Sequence, residues 1–292
     1  MGSDPLETLA EVESRSPGRM ALRRFFKNRR AVICIVLLAI VGLATLIVPW
    51  VTRHDYRESD WEYTYGKPNG TYWMGTDALG RDLMVRVFLG GRISFAIGFL
   101  ATAVSVIIGV AYGATSAFAG GRVDQVMMRF VDILYGLPYM LVVIIIMALT
   151  ESKSVLIVFL VLGSFGWLTI SRIVRGQVLS LRERDFVEAA RALGVGAPAI
   201  IWRHLIPNIL GPVIVYTTLA IPSVMLAESF LSFLGLGVSE PETSWGVLIS
   251  QGQQALERWW FVTFPGAALA ITLFCLNSIG DGLRDAFDVQ QR

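Results

Sequence analysis

The sequence predicts an all-α membrane protein with six transmembrane helices. Of its 292 residues, 54% are hydrophobic and 16% are charged, whereas soluble domains carry about 25% charged residues. Six charge-free runs reach or approach the roughly 20 apolar residues of one bilayer crossing, and they cover residues 31–52, 93–121, 133–150, 154–171, 205–227 and 259–280. The net charge of +2 gives no sign of a nucleic-acid-binding surface.

The first run, 31–52, is predicted to be a membrane anchor that is retained. It follows a polar segment, residues 1–30, and it is longer than the apolar region of a signal peptide. Basic residues crowd its start but not its end, which places residues 1–30 in the cytoplasm. These residues are Arg19, Arg23, Arg24, Lys27, Arg29 and Arg30. Six crossings return the C-terminal tail, 282–292, to the same side.

The polar segment 53–90 is then an external loop. Three arginines close to the second run, Arg81, Arg86 and Arg92, oppose this orientation. The stronger charge bias at the first run decides the prediction.

The third and fourth runs are short and only three residues apart, so they predict a tight helical hairpin whose helices are either buried by their neighbours or poorly matched to the bilayer thickness. Residues 231–257 combine glycine, proline and aromatic residues, which favours an interfacial or re-entrant segment over a seventh span. Cys34 and Cys275 lie inside apolar runs and are interpreted as small buried hydrophobic residues.

No motif in the sequence provides a nucleotide, metal or catalytic site. The P-loop pattern G-x-x-x-x-G-K-[ST] and the zinc pattern H-E-x-x-H are both missing. Ionisable residues, which usually mark ion-coupled transport, are almost absent from the runs. The chain therefore has the composition of a membrane pathway that takes its energy from elsewhere, and it is not expected to be an enzyme.

The loop 180–208 between the fourth and fifth runs contains predicted helix signals. Ser180 with Glu183 fits a capping box, and Asp185 with Glu188 offers a second start one turn later. Phe186, Ala189, Ala190 and Leu193 recur at helical spacing and form one apolar face, while Glu188 and Arg191 stand one turn apart on the other side.

Glycine and proline divide the rest of this loop. Gly194 suits a left-handed helix end, Pro198 suits the first turn of a second helix, and Pro207 biases Ile206 away from helix and predicts a bend. These features fit either a helix that docks another protein or a helix that lies on lipid headgroups.

The same residues resemble a known motif. Glu188-Ala189-Ala190, then Gly194, then His204-Leu205-Ile206-Pro207 after nine residues, is similar to the EAA motif in permease subunits of bacterial ABC importers. His204 and Ile206 stand where Ile and Leu are commonest. The segments 73–95, 120–138, 227–249 and 280–288 resemble the C-type permease of the dipeptide, oligopeptide and nickel family.

This resemblance implies a type I ABC importer permease fold with one extra N-terminal span, 31–52. A five-helix core, 91–281, would form half of a pathway for dipeptides or oligopeptides; nickel chelates and glutathione-like peptides are also carried by related permeases. The implied partners are a homologous permease subunit, two ABC ATPase subunits that hold ATP and Mg²⁺, and an extracytoplasmic binding protein. The implied location is the bacterial inner membrane, and no cofactor is implied in this chain.

The resemblance also implies roles for individual residues. The ATPase-coupling set is Glu188, Ala189, Ala190, Arg191, Leu193 and Gly194, and the motif ends at His204, Pro207 and Asn208. Asp77, Arg81, Asp82 and Glu228 are candidates for contact with the pathway or the binding protein. The alternative for these four is structural, in that the carboxylates satisfy nearby turns. The rival function is a self-contained secondary transporter or channel.

Overall fold

The computed structural model describes residues 17–52, 58–150, 154–255 and 257–288, and within these ranges the chain is helical without strands. The helices are α1 (Pro17–Lys27), α2 (Arg29–Val51), α3 (Leu83–Ala119), α4 (Gly121–Tyr135), α5 (Tyr139–Leu149), α6 (Val155–Leu181), α7 (Asp185–Ala192), α8 (Ala197–Ile200), α9 (Ile206–Phe233), α10 (Trp245–Gly252) and α11 (Trp259–Phe287).

Five helical stretches are long and apolar enough to cross a membrane, and a sixth crossing arises if the bent pair α4–α5 counts as one span. The five long stretches are α2, α3, α6, residues Ala197–Phe233 and α11. The prediction of an all-α, multi-pass membrane protein is confirmed. Segment 231–257 adds no seventh span, because it contains the end of α9 and the eight-residue helix α10.

The third crossing, predicted as a single short span over 133–150, is broken into two helices. α4 ends at Tyr135 and α5 starts at Tyr139, with an angle of 73° between them. Pro138 causes the break, because it lacks an N–H and disfavours helix at the residue before it. The 11 residues of α5 span about 16 Å, roughly half of the hydrocarbon core. The predicted hairpin connection, 151–153, lies outside the described residues.

Two helices extend beyond the predicted apolar runs. α3 begins at Leu83, well before residue 93, because Asp82 caps it and its first arginines are paired inside the fold. α11 continues to Phe287, so most of the predicted tail 282–292 is helix. The predicted polar segment 1–30 contains the amphipathic helix α1, while residues 1–16 lie outside the described ranges.

α3 and α6 form the central helix pair, and glycines allow their backbones to approach closely. A Cβ on Gly113 would lie 2.3 Å from the carbonyl oxygen of Ser171. Small residues of this kind favour packing between helices in lipid, where apolar burial gives little driving force. α9 and α11 pack beside this pair, and the two cysteines are buried where α2 meets α11, as predicted.

Candidate functional site

The coupling loop begins later than the capping-box interpretation predicts. Ser180 lies inside α6, where its hydroxyl donates to the carbonyl of Gln177 at 2.8 Å, so the Ser180–Glu183 start is wrong. α6 extends this far because Val178 is buried in the core cluster beneath α7. The second predicted start is confirmed, because α7 begins at Asp185 with Glu188 in its first turn.

Helix α7 buries only one residue of the predicted apolar face, Ala190, together with Val187. Val187 and Ala190, one turn apart, pack into a cluster of side chains from α3, α6 and α9. Phe186 and Ala189 are exposed, and Leu193 just after the helix is 84% exposed. Of the predicted apolar face, Phe186, Ala189 and Leu193 therefore point away from the body of the chain and are free to contact a partner, whereas Ala190 faces the core.

The turn after α7 has the predicted left-handed geometry. Gly194 has a φ of +77°, the N–H of Gly194 donates to Arg191 O at 2.9 Å, and the N–H of Val195 donates to Ala190 O at 3.0 Å. This pattern ends a helix and satisfies its last carbonyls. Pro198 lies in the first turn of α8, which confirms that prediction too.

The predicted bend at Pro207 is absent. Residues Ile201–Leu205 form a π-turn, Ile206 is helical with a φ of −57°, and Pro207 sits in the first turn of α9. The wider turn gives the proline ring room that an α-turn would deny it. The side-chain amide of Asn208 donates to His204 O at 2.6 Å, so the end of the motif stabilises this turn. Sequence periodicity carries no signal for a π-turn.

Arginines of α6, of the turn after it and of α7 contact α3 and α4 near the coupling loop. Arg175 donates to both oxygens of Asp124, at 2.7 and 2.6 Å, and the Ser116 hydroxyl donates to the same carboxylate at 2.6 Å. Arg182 donates to Ala117 O at 2.8 Å, and the Arg191 guanidinium lies 5.0 Å from the centre of the Phe118 ring. The sequence showed these arginines only as basic charge, because their partners lie far along the chain.

A second polar group, the Asp77 cluster, consists of Asp77, Arg81, Arg86, Glu240 and Gln251. The buried Asp77 carboxylate accepts from the backbone N–H of Arg81 at 2.9 Å, from the Arg81 side chain at 2.7 Å and from Arg86. Arg81 also donates to Glu240 at 2.9 Å, and this bond holds the pKa of the Glu240 carboxyl below its usual range.

The hydrogen bonds of the Asp77 cluster favour the structural alternative for this turn. Asp77 also caps the N–H of Leu79 at 2.8 Å, and Asp82 caps the N–H of Met84 at 2.8 Å. Asp77, Arg81 and Asp82 are all buried, so they hold segment 58–82 onto the helices rather than presenting a surface.

Glu228 is buried in α9, where its carboxylate joins two segments. It accepts from Ser232 at 2.8 Å and from Ser244 at 2.6 Å. Ser244 in turn caps α10 by accepting from the N–H of Val247 at 3.1 Å. The geometry therefore favours the structural alternative for Glu228, in which it fixes the start of α10. Among the described residues, no group of three His, Cys, Asp or Glu side chains is placed to hold a metal ion.

Comparison with known proteins places the chain in a family. A model described as "Binding-protein-dependent transport system inner membrane component" matches residues 105–292, and one described as "N-terminal TM domain of oligopeptide transport permease C" matches residues 16–68.

Curated relatives match over nearly the whole chain. The oligopeptide transport system permease protein OppC of Haemophilus influenzae is 45% identical over 99% of this chain and 94% of its own length. OppC of Salmonella typhimurium is 45% identical over 99% of this chain and 98% of its own length. The dipeptide transport system permease protein DppC of Bacillus subtilis is 39% identical over 93% of this chain and 85% of its own length. The chain therefore belongs to the family of binding-protein-dependent transport system inner membrane components, and it is a membrane permease subunit of the ABC importer type.

Proposed function

We propose that this subunit forms half of a peptide pathway and that α7 docks onto a separate ATPase. The full importer would contain this chain, a homologous permease subunit, two ABC ATPase subunits and an extracytoplasmic binding protein. The relatives named for oligopeptide and dipeptide transport support peptides as the cargo. The exposed apolar face of α7, held on a rigid base, is the observation that carries the proposal.

Docking would use the side of α7 that the fold leaves uncovered. Phe186, Ala189 and Leu193 offer apolar contact, and the small alanines allow a partner backbone to approach closely. Glu188 and Arg191 are exposed near this face and provide charges of both signs for orientation. ATP and Mg²⁺ would bind to the partner subunits, which fits the missing P-loop.

Motion of α7 would reach the pathway through direct packing. Val187 and Ala190 contact the same core cluster as Val174 of α6 and Val213 of α9. Packed interiors rearrange between discrete states more readily than they deform. A displacement of α7 by the ATPase would therefore shift α6 and α9 as bodies, which is what alternating access requires.

We also propose that both termini face the cytoplasm of a bacterial inner membrane. The three arginines that opposed this orientation are engaged inside the fold: Arg81 and Arg86 belong to the Asp77 cluster, and Arg92 donates to Thr45 O at 3.3 Å. The larger number of Lys and Arg residues before α2 therefore supports a cytoplasmic N-terminus. Fusion of a reporter enzyme that is active only in the cytoplasm to residue 292 tests this orientation, and an inactive fusion refutes it.

Two glycines of the same loop allow a controlled test of docking. Gly194 and Gly196 both have open space where a Cβ would lie, with no atom closer than 4.0 Å, but only Gly194 has a positive φ. Gly194→Val should therefore distort the turn, at about 1–3 kcal/mol, whereas Gly196→Val should not. The expected result is that Gly194→Val inserts into the membrane but loses ATPase co-purification and uptake. Equal behaviour of the two variants would contradict the docking role of this turn.

Reconstitution separates the proposal from its rival. Proteoliposomes with this chain alone should show no peptide uptake, and addition of the partner permease, ATPases and binding protein should restore ATP-dependent uptake. Uptake by the chain alone would establish the self-contained transporter or channel instead.

A further inference from the structure

A cavity of about 500 Å³ lies among the α4–α5 break, α6 and α9. Its volume is within the range of about 300–1,000 Å³ that is typical of small-molecule sites. The cavity lies beside a broken helix, and interruptions of this kind are tolerated at membrane depth where they are buried in protein or line a cavity. None of the residues assigned above to docking, or to the Asp77 cluster, lines it.

The lining suits a peptide of varied sequence. Its walls are apolar, and five side chains bring hydroxyl groups into or beside the space: Tyr135, Tyr139, Thr169, Tyr216 and Ser223. Hydroxyl groups donate to and accept from main-chain amides, while aromatic rings contact many side-chain types. Asp, Glu, Lys and Arg are absent from the lining, so no fixed charge selects one kind of peptide side chain.

A charged pair marks the end of the cavity that faces α7. Arg172 of α6 donates to Asp132 of α4 at 2.7 Å, with side chains that are 42% and 55% exposed. The Arg172 guanidinium also lies 4.2 Å from the centre of the Tyr135 ring, and the Tyr135 hydroxyl is 3.4 Å from that of Thr169. Tyr135 and Thr169 both line the cavity, so the ion pair lies at its rim, beside these two side chains.

An exposed ion pair opens easily, because solvent screens the two charges and such pairs contribute little to stability. A peptide with free termini carries one ammonium and one carboxylate group. These charges complement Asp132 and Arg172, so the peptide ends can replace the bond between the two side chains. A peptide with free termini can therefore open the ion pair by binding to both of its charges. A neutral solute carries no charges that could do so.

We propose that this cavity holds the cargo peptide during crossing and that the Arg172–Asp132 pair is a latch at its α7 end. The inference rests on the proposed peptide-import function and assigns a cargo site within this chain. Charge complementarity at the rim and the uncharged lining together identify the occupant as a short peptide with free termini.

Filling the cavity tests the first part. Ala220 lines it, whereas Ala39 is exposed on α2 outside it. In the complete reconstituted complex, Ala220→Trp should reduce uptake of a free tripeptide by about tenfold or more through overpacking, with ATPase co-purification retained, and Ala39→Trp should not. Wild-type uptake by Ala220→Trp overturns the cavity assignment. Failure of the wild-type complex to import peptide would instead refute the peptide-import function.

A labelling experiment gives a direct readout that does not depend on tolerance of tryptophan. Ser223→Cys introduces an accessible thiol into the lining, while Cys34 and Cys275 are buried. During ATP turnover, a water-soluble methanethiosulfonate should label this thiol, and excess free tripeptide should slow the reaction. The proposal is overturned if the free tripeptide does not slow labelling. It is also overturned if the thiol stays unreactive because the partner permease fills the space.

Charge exchange tests the latch. Arg172→Asp and Asp132→Arg should each impair uptake, and the double exchange should restore most of it, because the pair is rebuilt with reversed positions. Acetylated and amidated tripeptide should protect the Ser223→Cys thiol less than the free peptide does. Wild-type uptake by either single variant, a double variant no better than the singles, or equal protection by blocked peptide overturns the latch.

Discussion

Replacing Asp77 with Asn should loosen segment 58–82 from the membrane helices. Asp77 is completely buried and accepts from Arg86, which is 2% exposed, and from Arg81. Asparagine has nearly the same shape and keeps an oxygen for the backbone N–H groups that Asp77 caps. The variant therefore removes one negative charge and leaves two guanidinium groups beside Glu240, whose side chain is 46% exposed.

The size of the effect follows from this arrangement. Removing one partner of a buried ion pair costs about 3–5 kcal/mol, because the other charge stays buried without compensation. Glu240 still neutralises part of the positive charge, which favours the lower value. A cost of about 3 kcal/mol raises the population of the locally open state by about 100-fold. Arg86→Met should cost less, since Asp77 then keeps its bond to Arg81.

Amide hydrogen exchange measured by mass spectrometry detects this opening. The reporter amides are those of Tyr65, Thr76 and Leu83, which donate to Asp77 O, Gly66 O and Gly75 O at 2.8, 3.0 and 3.0 Å. They should exchange about 100-fold faster in Asp77→Asn.

The exposed Asp281, on α11, provides a matched control. Asp281→Asn should leave the reporter amides unchanged, and in Asp77→Asn the amides of α6 should keep their wild-type rates. Unaltered exchange at the reporters, or acceleration spread evenly along the chain, would refute the reasoning.

Because Arg81 lowers the pKa of Glu240, the stabilisation by this carboxylate is present above its unfolded pKa and is lost as pH falls through the folded pKa. The opening of segment 58–82, measured as amide exchange relative to the intrinsic exchange rate at each pH, should therefore increase on acidification in the wild type and less so in Glu240→Gln; an identical pH dependence of opening in the two proteins would contradict this. Gly282→Leu should lower the unfolding temperature, since a Cβ there lies 2.7 Å from Ala31 Cβ and overpacking costs about 1–3 kcal/mol. Gly266→Leu, in open space on the same helix, should not, and equal shifts would count against the packing explanation.

Local chemistry explains which features were predictable from the sequence. Long apolar runs predicted the crossings because the bilayer sets their length, and the third run failed only where Pro138 interrupts it. Gly194 was predictable because a left-handed helix end depends on the residue's own missing Cβ. The capping role of Asp77 followed from turn chemistry within four residues of itself.

The remaining features depend on residues that are distant in sequence. Spacing showed that α7 has an apolar face, but the burial of Val187 rather than Phe186 depends on where α6 and α9 lie. In the sequence, Arg86 is a charge that excludes its segment from the second apolar run. In the structure Arg86 lies inside α3, because the chain before this helix folds back and brings Asp77 to its guanidinium. The cavity has no sequence signature, since its walls come from three separate segments.

The core beneath α7 and the cavity share part of their structure. Ile170 of α6 belongs to the cluster that contacts Val187 and Ala190, and it also lines the cavity. On α9, Val213 of the cluster lies one turn before Tyr216 of the lining. In the proposed importer, α7 therefore needs no long relay to reach the cargo. The side chains that support α7 are continuous with the wall of the cavity. A shift that repacks the core beneath α7 must therefore change the shape of the cavity.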